Sequence, residues 1–221
     1  MTKLSAELVG LTEPVKKLKV NTPEGLVAYC ARVSNPQHQD KDIGSLFDYC
    51  MKNKHWSIFE MVNAVVEVEA PRDISRQLLR HRSFSFQEFS QRYSDEIEFT
   101  EREFRRQDTK NRQNSIDDLD PDLKQYFQDG LGNYLVKVND AYTALRSENV
   151  AKECARVILP EGLTMSRLYV NGTLRSWLHY LDVRDDPGVT QWEHVLLARE
   201  IRKVLEPAFP NVLPKLVGLE K

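Results

Sequence analysis

The chain has 221 residues, 29% of them charged, and a formal net charge of −2. That length can bury a sizeable core, expected here as one domain over residues 1–221, and the balanced charge gives no global pull toward nucleic acid or anionic lipid. No apolar run approaches the ~18 residues of a membrane span, no secretory h-region follows Met1, and the three cysteines are odd in number and far apart, which predicts a soluble, cytoplasmic protein with reduced thiols.

In chain order, Thr22 is a good N-cap with Pro23 behind it, and Leu26, Val27, Cys30 and Val33 predict a helix to about Ser34. A second amphipathic stripe through Ile43, Leu46, Phe47, Cys50 and Met51 predicts a helix between Asp42 and Lys54. The alternation of Val62, Ala64, Val66, Val68 and Ala70 predicts a strand, after which Pro71 opens a helix ending near Arg82. Residues 83–93 read as a loop or short irregular stretch. The charged run from Thr100 to Asp122 reads as a surface excursion, either a lid or a solvated loop.

Helical spacing returns from Pro121 to Leu145, with Gly130 and Gly132 as points of weakness, and a short helix from Val150 ends at Leu159 before Pro160. Met165 to Val170 reads as a strand, and Thr173–Val183 and Gln191–Leu205 as helices. The fold class is α+β: helix-dominated, with a small, mostly antiparallel sheet flanked by helices.

The five histidines (His38, His55, His81, His179, His194) make no His-x-x-x-His or His-Glu-x-x-His pair, so the expected metal set is none. Gly130-x-Gly132 lacks both the third glycine of a dinucleotide fingerprint and the Lys-Ser/Thr of a P-loop, so a bound nucleotide would have its phosphates held by side chains. The densest chemistry lies in Arg80-His81-Arg82-Ser83-Phe84-Ser85-Phe86-Gln87-Glu88-Phe89-Ser90-Gln91-Arg92-Tyr93. Arginine forks and hydroxyls suit phosphate oxygens, although cations near a helix C-terminus are also favoured by its dipole alone.

Arg80-His81-Arg82, seven residues, then Ser90 resembles the signature of flavin-dependent thymidylate synthases, and its extension through Glu88, Arg92 and Tyr93 is intact. Further blocks also look like that family's: Arg32-Val33-Ser34, His55 to Glu60, Glu153-Cys154-Ala155-Arg156 with Leu159-Pro160, and Arg175 through Arg184 to Gln191-Trp192-Glu193. The resemblance implies FAD bound by Ser34, His55, Ser57, Glu60, Arg80, His81, Arg82, Arg175 and His179. His179 departs from the asparagine of some members. It implies dUMP bound by Gln77, Glu88, Ser90, Arg92 and Arg156, with Arg184 on the uracil. It further implies 5,10-methylenetetrahydrofolate as carbon donor, NADPH as reductant, and a homotetramer with sites at subunit interfaces.

Uracil C5 is a weak nucleophile, so an enzyme must add a nucleophile at C6 or stabilise charge on the ring carbonyls; Arg184 is the expected catalytic group for the second route. Two rival readings remain at this level. One is a cysteine-dependent uracil methylase using Cys154, which has Arg156 nearby but no histidine beside it to activate the thiol. The other is a single-stranded nucleic-acid binder using Arg80, Arg82 and Arg92 with Phe84, Phe86 and Phe89 as stacking platforms, against which the acidic pI of about 6.2 argues.

Overall fold

The computed structural model describes residues 2–218. Four strands form the main sheet: β1 (Ser5–Leu11), β2 (Asn63–Pro71), β3 (Ser85–Glu88) and β6 (Met165–Thr173), in the order β1-β2-β6-β3 with every pair antiparallel. β2 and β6 pair along their whole lengths, from Asn63 opposite Thr173 to Pro71 opposite Met165. The period-2 pattern sets which face is buried. Ala64, Val66, Val68 and Ala70 of β2 share the core face with Leu168 and Val170 of β6, all fully buried, while Glu67 and Glu69 point away.

Helices α6 (Leu174–Arg184) and α7 (Trp192–Leu205) cover that face. Trp177 of α6 fixes the packing, because its indole N–H donates to the Ala64 carbonyl at 3.2 Å and so satisfies a polar atom that burial would otherwise strand. The core is completed by α1 (Pro23–Ala31) and α2 (Leu46–Lys52), which contribute Val27, Ala28, Phe47, Cys50 and Met51, and by α3 (Arg72–Leu78), which contributes Ile74 and Leu78. The Thr22 hydroxyl caps α1 by accepting from Gly25 N at 3.0 Å, as its sequence predicts.

The α+β class and the small antiparallel sheet agree with the expectation, and several local boundaries differ for identifiable reasons. β1 escapes the pattern reading because its inward positions are only partly buried, and it carries a register shift between Leu8 and Gly10. Pro71 is both the last residue of β2 and the N-cap of α3, as expected of a residue that opens the helix, but α3 stops at Leu78, where His81 N bonds back to Leu78 O in a tighter turn. Residues 85–88, read as irregular, are the edge strand β3: the open hydrogen bonds of β6 recruit them despite their polarity. Gly130 and Gly132 do not break α4, which runs unbroken from Pro121 to Ser147 under an Asp120 cap. The helix expected from Val150 is one turn, α5 (Lys152–Ala155), followed by a 3₁₀ turn over Arg156–Ile158. A two-stranded ribbon, β4 (Arg106–Gln107) with β5 (Ser115–Ile116), shapes the excursion. Among the described residues no helix is long and apolar enough to cross a membrane.

Candidate active site

The Arg80–Arg82 turn lies between α3 and β3, and one aromatic side chain seats it. Phe84 packs its ring 4.4 Å from that of Trp177 and directly over Gly172, where a Cβ would fall 2.2 Å from the Phe84 ring. Only glycine leaves room for this approach at the end of β6. The Ser176 hydroxyl donates to Ser83 O at 3.3 Å, binding the same turn to α6. The turn and α6 are thereby held as one unit, and α6 itself carries Arg175, His179 and Arg184.

At the C-terminal end of α6, Arg184 Nε donates to His81 Nε2 at 2.9 Å. An accepting Nε2 requires a neutral ring with its proton on Nδ1. Burial, and then the charges of Arg184 and His179, hold the His81 pKa down to about 4, consistent with that form. The His81 ring stands edge-on to the fully buried Tyr180, 5.1 Å between centroids. Arg184 has carboxylates on either side in sequence, yet Asp185 pairs with Arg199 and Arg202 at 2.9 and 3.1 Å. No carboxylate lies within 4 Å of Arg184 among the described residues, so a half-buried cation is left aimed by a histidine alone.

The N-terminal end of α6 faces an open groove of about 1330 Å³ lined by Lys54, Trp56, Glu60, Ser83, Arg175 and His179, among others. Arg175 is ion-paired to Glu60 across it. His55 and Ser57 belong to the short 3₁₀ turn that carries Trp56 and Glu60, and are exposed. Arg80 and Arg82 are exposed next to Ser83, and no carboxylate lies within 4 Å of either among the described residues. Ser34 lies in the exposed turn after α1, outside the groove lining.

A third group gathers at the β3 edge. Glu88 accepts from the Ser166 hydroxyl at 3.0 Å and sits 4.0 Å from Arg72. In the turn beyond, the Ser90 hydroxyl accepts from Arg92 N at 3.4 Å, and Arg92 lies 3.7 Å from Glu153 on α5. Glu153 thus faces Arg92 rather than Arg156, which follows in the 3₁₀ turn.

Gln77, on α3, bonds to α7 and its N-cap. Its side chain is engaged on both sides, by His194 at 3.2 Å and Gln191 at 2.7 Å. Sequence reading passed over His194 and Tyr180, because a histidine and a tyrosine at core positions of helices carry no local signal of a shared hydrogen bond. It also left the 100–122 segment as a lid or a solvated loop. The structure ties that segment down: Arg102 pairs with Asp73 and donates to Gly162 O at 2.9 Å, and Arg105 pairs with the buried Glu193 at 2.6 Å. Among the described residues no group of three or more His, Cys, Asp or Glu is placed to hold a metal ion.

Comparison with known proteins identifies the family and the fold. The family described as thymidylate synthase complementing protein matches residues 17–211. A flavin-dependent thymidylate synthase of Synechocystis is 45% identical over 96% of this chain and 99% of its own length. A probable flavin-dependent thymidylate synthase of Paramecium bursaria Chlorella virus 1 is 42% identical with the same coverage. Among solved structures, the UMP/dUMP methylase PolB of Streptomyces cacaoi, bound with 5-Br dUMP, superposes with a TM-score of 0.78 at 26% identity, covering 98% of this chain and 96% of that one. With its signature turn seated against α6 and its relatives matching nearly end to end, the chain belongs to the flavin-dependent thymidylate synthases.

Proposed function

We propose that this chain forms dTMP by reductive methylation of dUMP, taking carbon from 5,10-methylenetetrahydrofolate and reducing equivalents from NADPH through FAD, as one domain working in the cytoplasm. The observation that carries the mechanism is the Arg184–His81 bond. A cation already oriented, half-desolvated and without a carboxylate neighbour among the described residues stabilises negative charge building on a uracil carbonyl without first having to reorganise. Arg184 is therefore the catalytic group, and no enzyme nucleophile is required. Neutral His81 serves by accepting from Arg184 Nε, which fixes the plane of the guanidinium.

The chemistry of the groove fits a dinucleotide. Trp56, Met51 and Leu178 give it apolar wall, and its volume exceeds that of an ordinary small-ligand pocket. Arg80 and Arg82 are not in its lining but precede the lining residue Ser83 in sequence, and no carboxylate among the described residues neutralises them. Ser34, His55, Ser57, Glu60, Arg80, His81, Arg82, Arg175 and His179 are the residues assigned to FAD. When bound, FAD supplies the hydride-carrying step between NADPH and the transferred carbon. The Glu60–Arg175 pair is half exposed and so contributes only about 0–1 kcal/mol, which leaves it easy to reopen toward a ligand.

The β3 edge suits the nucleotide. Ser90, Arg92 and Arg156 present one hydroxyl and two guanidinium groups, the chemistry of phosphate recognition, while Glu88 and Gln77 complete the dUMP set. The groove and the β3 edge are separate clusters of one chain, and both are open to solvent, which supports a homotetramer whose sites are completed across subunits. α4 adds to that support: it buries only Val138 and Tyr142 and exposes Leu123, Tyr126, Phe127, Tyr134 and Val136. The test is turnover: the purified chain with FAD, NADPH, the folate and dUMP is expected to accumulate dTMP and to carry visible flavin absorbance. A colourless chain that stays inactive after FAD addition rejects the reading.

A further inference from the structure

The buried titratable groups with no part in the mechanism above include Tyr180 and His194, both with no exposed surface, and Glu193, 4% exposed. These three belong to a single file of hydrogen bonds. Tyr180 Oη lies 3.1 Å from His194 Nε2, His194 Nδ1 lies 3.2 Å from Gln77 Oε1, Gln77 Nε2 lies 2.7 Å from Gln191 Oε1, and Gln191 Nε2 lies 3.0 Å from Glu193 Oε2.

The direction of this file follows from its last member. Burial opposes ionisation of Glu193, but the hydrogen bond from Arg105 and its companions prevail and hold the carboxyl below its usual range. Its place in the first turn of α7 favours the anion as well. An ionised carboxylate can only accept. Gln191 must then turn its amide nitrogen to Glu193 and its oxygen to Gln77. Gln77 in turn must give nitrogen to Gln191 and oxygen to His194. His194 must carry its proton on Nδ1, and Tyr180 must donate to the bare Nε2. Both amide orientations and the histidine tautomer are thus fixed by one remote charge rather than by local preference.

We infer that Glu193, Gln191, His194 and Tyr180 are positioning residues that lock the Gln77 amide in one orientation at the dUMP site. The inference rests on the assignment of Gln77 to dUMP and extends it. With its oxygen held by His194 and one amide hydrogen held by Gln191, Gln77 keeps its second N–H free, so it meets the nucleotide as a donor. Left alone, an amide can rotate and present either end, and half of its encounters would place oxygen against a substrate oxygen. Because Arg105 and Arg102 reach Glu193 from the 100–122 excursion, the excursion is the outer anchor of the same file.

The test is a double-mutant cycle read in dUMP KM and kcat. Gln77→Ala is expected to raise KM about tenfold, the value of one orienting hydrogen bond, and His194→Leu about fivefold, with kcat within about twofold. The pair combined should be no worse than Gln77→Ala alone. His194→Asn, whose amide N–H takes the place of Nδ1–H, should restore KM, and Gln191→Leu should repeat the non-additive result from the other side should His194→Leu not fold. Additive effects, an unchanged KM in His194→Leu or Gln191→Leu, or failure of His194→Asn to restore it overturn the inference. A wild-type chain that makes no dTMP overturns the functional reading with it, whereas an active wild type with additive variants overturns this inference alone.

Discussion

The two ends of α6 differ in how much of their polar chemistry is already settled. At the C-terminal end Arg184 is aimed by His81, and the neighbouring Tyr180 and His194 engage each other in the interior. At the N-terminal end Arg175 and Glu60 neutralise each other across an open groove, with His179 beside them. The difference separates two tasks. Stabilising charge that develops during a reaction rewards groups fixed in advance, because they need not move at the moment of reaction. Holding a large cofactor tolerates groups that rearrange on binding, since a solvated ion pair is cheap to reopen.

The strongest way to break this comparison is to remove the fixed cation. Arg184→Ala is expected to keep bound flavin and lose dTMP formation by at least about a hundredfold, the loss typical of deleting one preorganised electrostatic group. Flavin absorbance and turnover measured on the same preparation check both halves. Near-normal turnover would mean that the aimed guanidinium has no role in the reaction.

A second test asks whether the C-terminal end is as buried as its contacts imply. Burial depresses the folded-state pKa of His81 to about 4 and of His194 to about 3, against an ordinary value of 6.5. The unfolded chain therefore takes up protons first as pH falls. The stability from keeping both rings neutral is fully present above about pH 6.5, and it is lost progressively as pH falls from there toward about 4 and 3. Urea midpoints should be lower at about pH 5 than at about pH 7.5. Two carboxyls whose pKa burial raises, Glu24 and Asp73, push the other way. The histidine effect is isolated by His194→Leu, in which the drop should shrink; an equal drop would assign it elsewhere.

How much of this was legible in the sequence follows the same division. Arg80 to Tyr93 and the blocks carrying Arg175 and Arg184 identified the family because their residue types and order are local properties of the chain. The strand β2 and helices α1, α6 and α7 were legible too, since burial of one face imposes a period on sequence. β3 was not, because a polar four-residue edge strand is specified by its neighbour β6. His194 and Tyr180 sit on different helices, and Gln77 meets them from a third, more than a hundred residues away in sequence. Their connection exists only once α3, α6 and α7 pack together. The excursion gave a further lesson: its charge fitted a lid or a solvated loop equally, yet Arg102 and Arg105 point inward to Asp73 and Glu193.

At the groove end the expected effects are smaller. Arg175→Ala should weaken FAD retention about tenfold, since one charge-assisted contact of roughly 1.5 kcal/mol is removed. The melting temperature of the flavin-free chain should stay within about 2 °C, because the lost Glu60 pair is largely solvated. Flavin titration by fluorescence together with a melting curve separates the two. Large destabilisation without cofactor would mean that the Arg175–Glu60 pair supports the fold rather than the ligand.

The smallest expected effect concerns Cys154, the exposed thiol on α5. A cysteine attacking uracil C6 needs an electropositive setting that stabilises its thiolate. Its sequence neighbour Glu153 is engaged with Arg92 at 3.7 Å, so this carboxylate draws one local arginine to itself and leaves Arg156 as the remaining cation nearby. Cys154→Ala should therefore keep dTMP formation within about twofold, the range of an ordinary surface substitution. Because the variant keeps Arg92 and Arg156, it tests the sulfur separately from the phosphate-binding charges around it. Loss of methylation with flavin retained would make Cys154 the nucleophile and would move uracil activation from the fixed end of α6 to the exposed edge at α5.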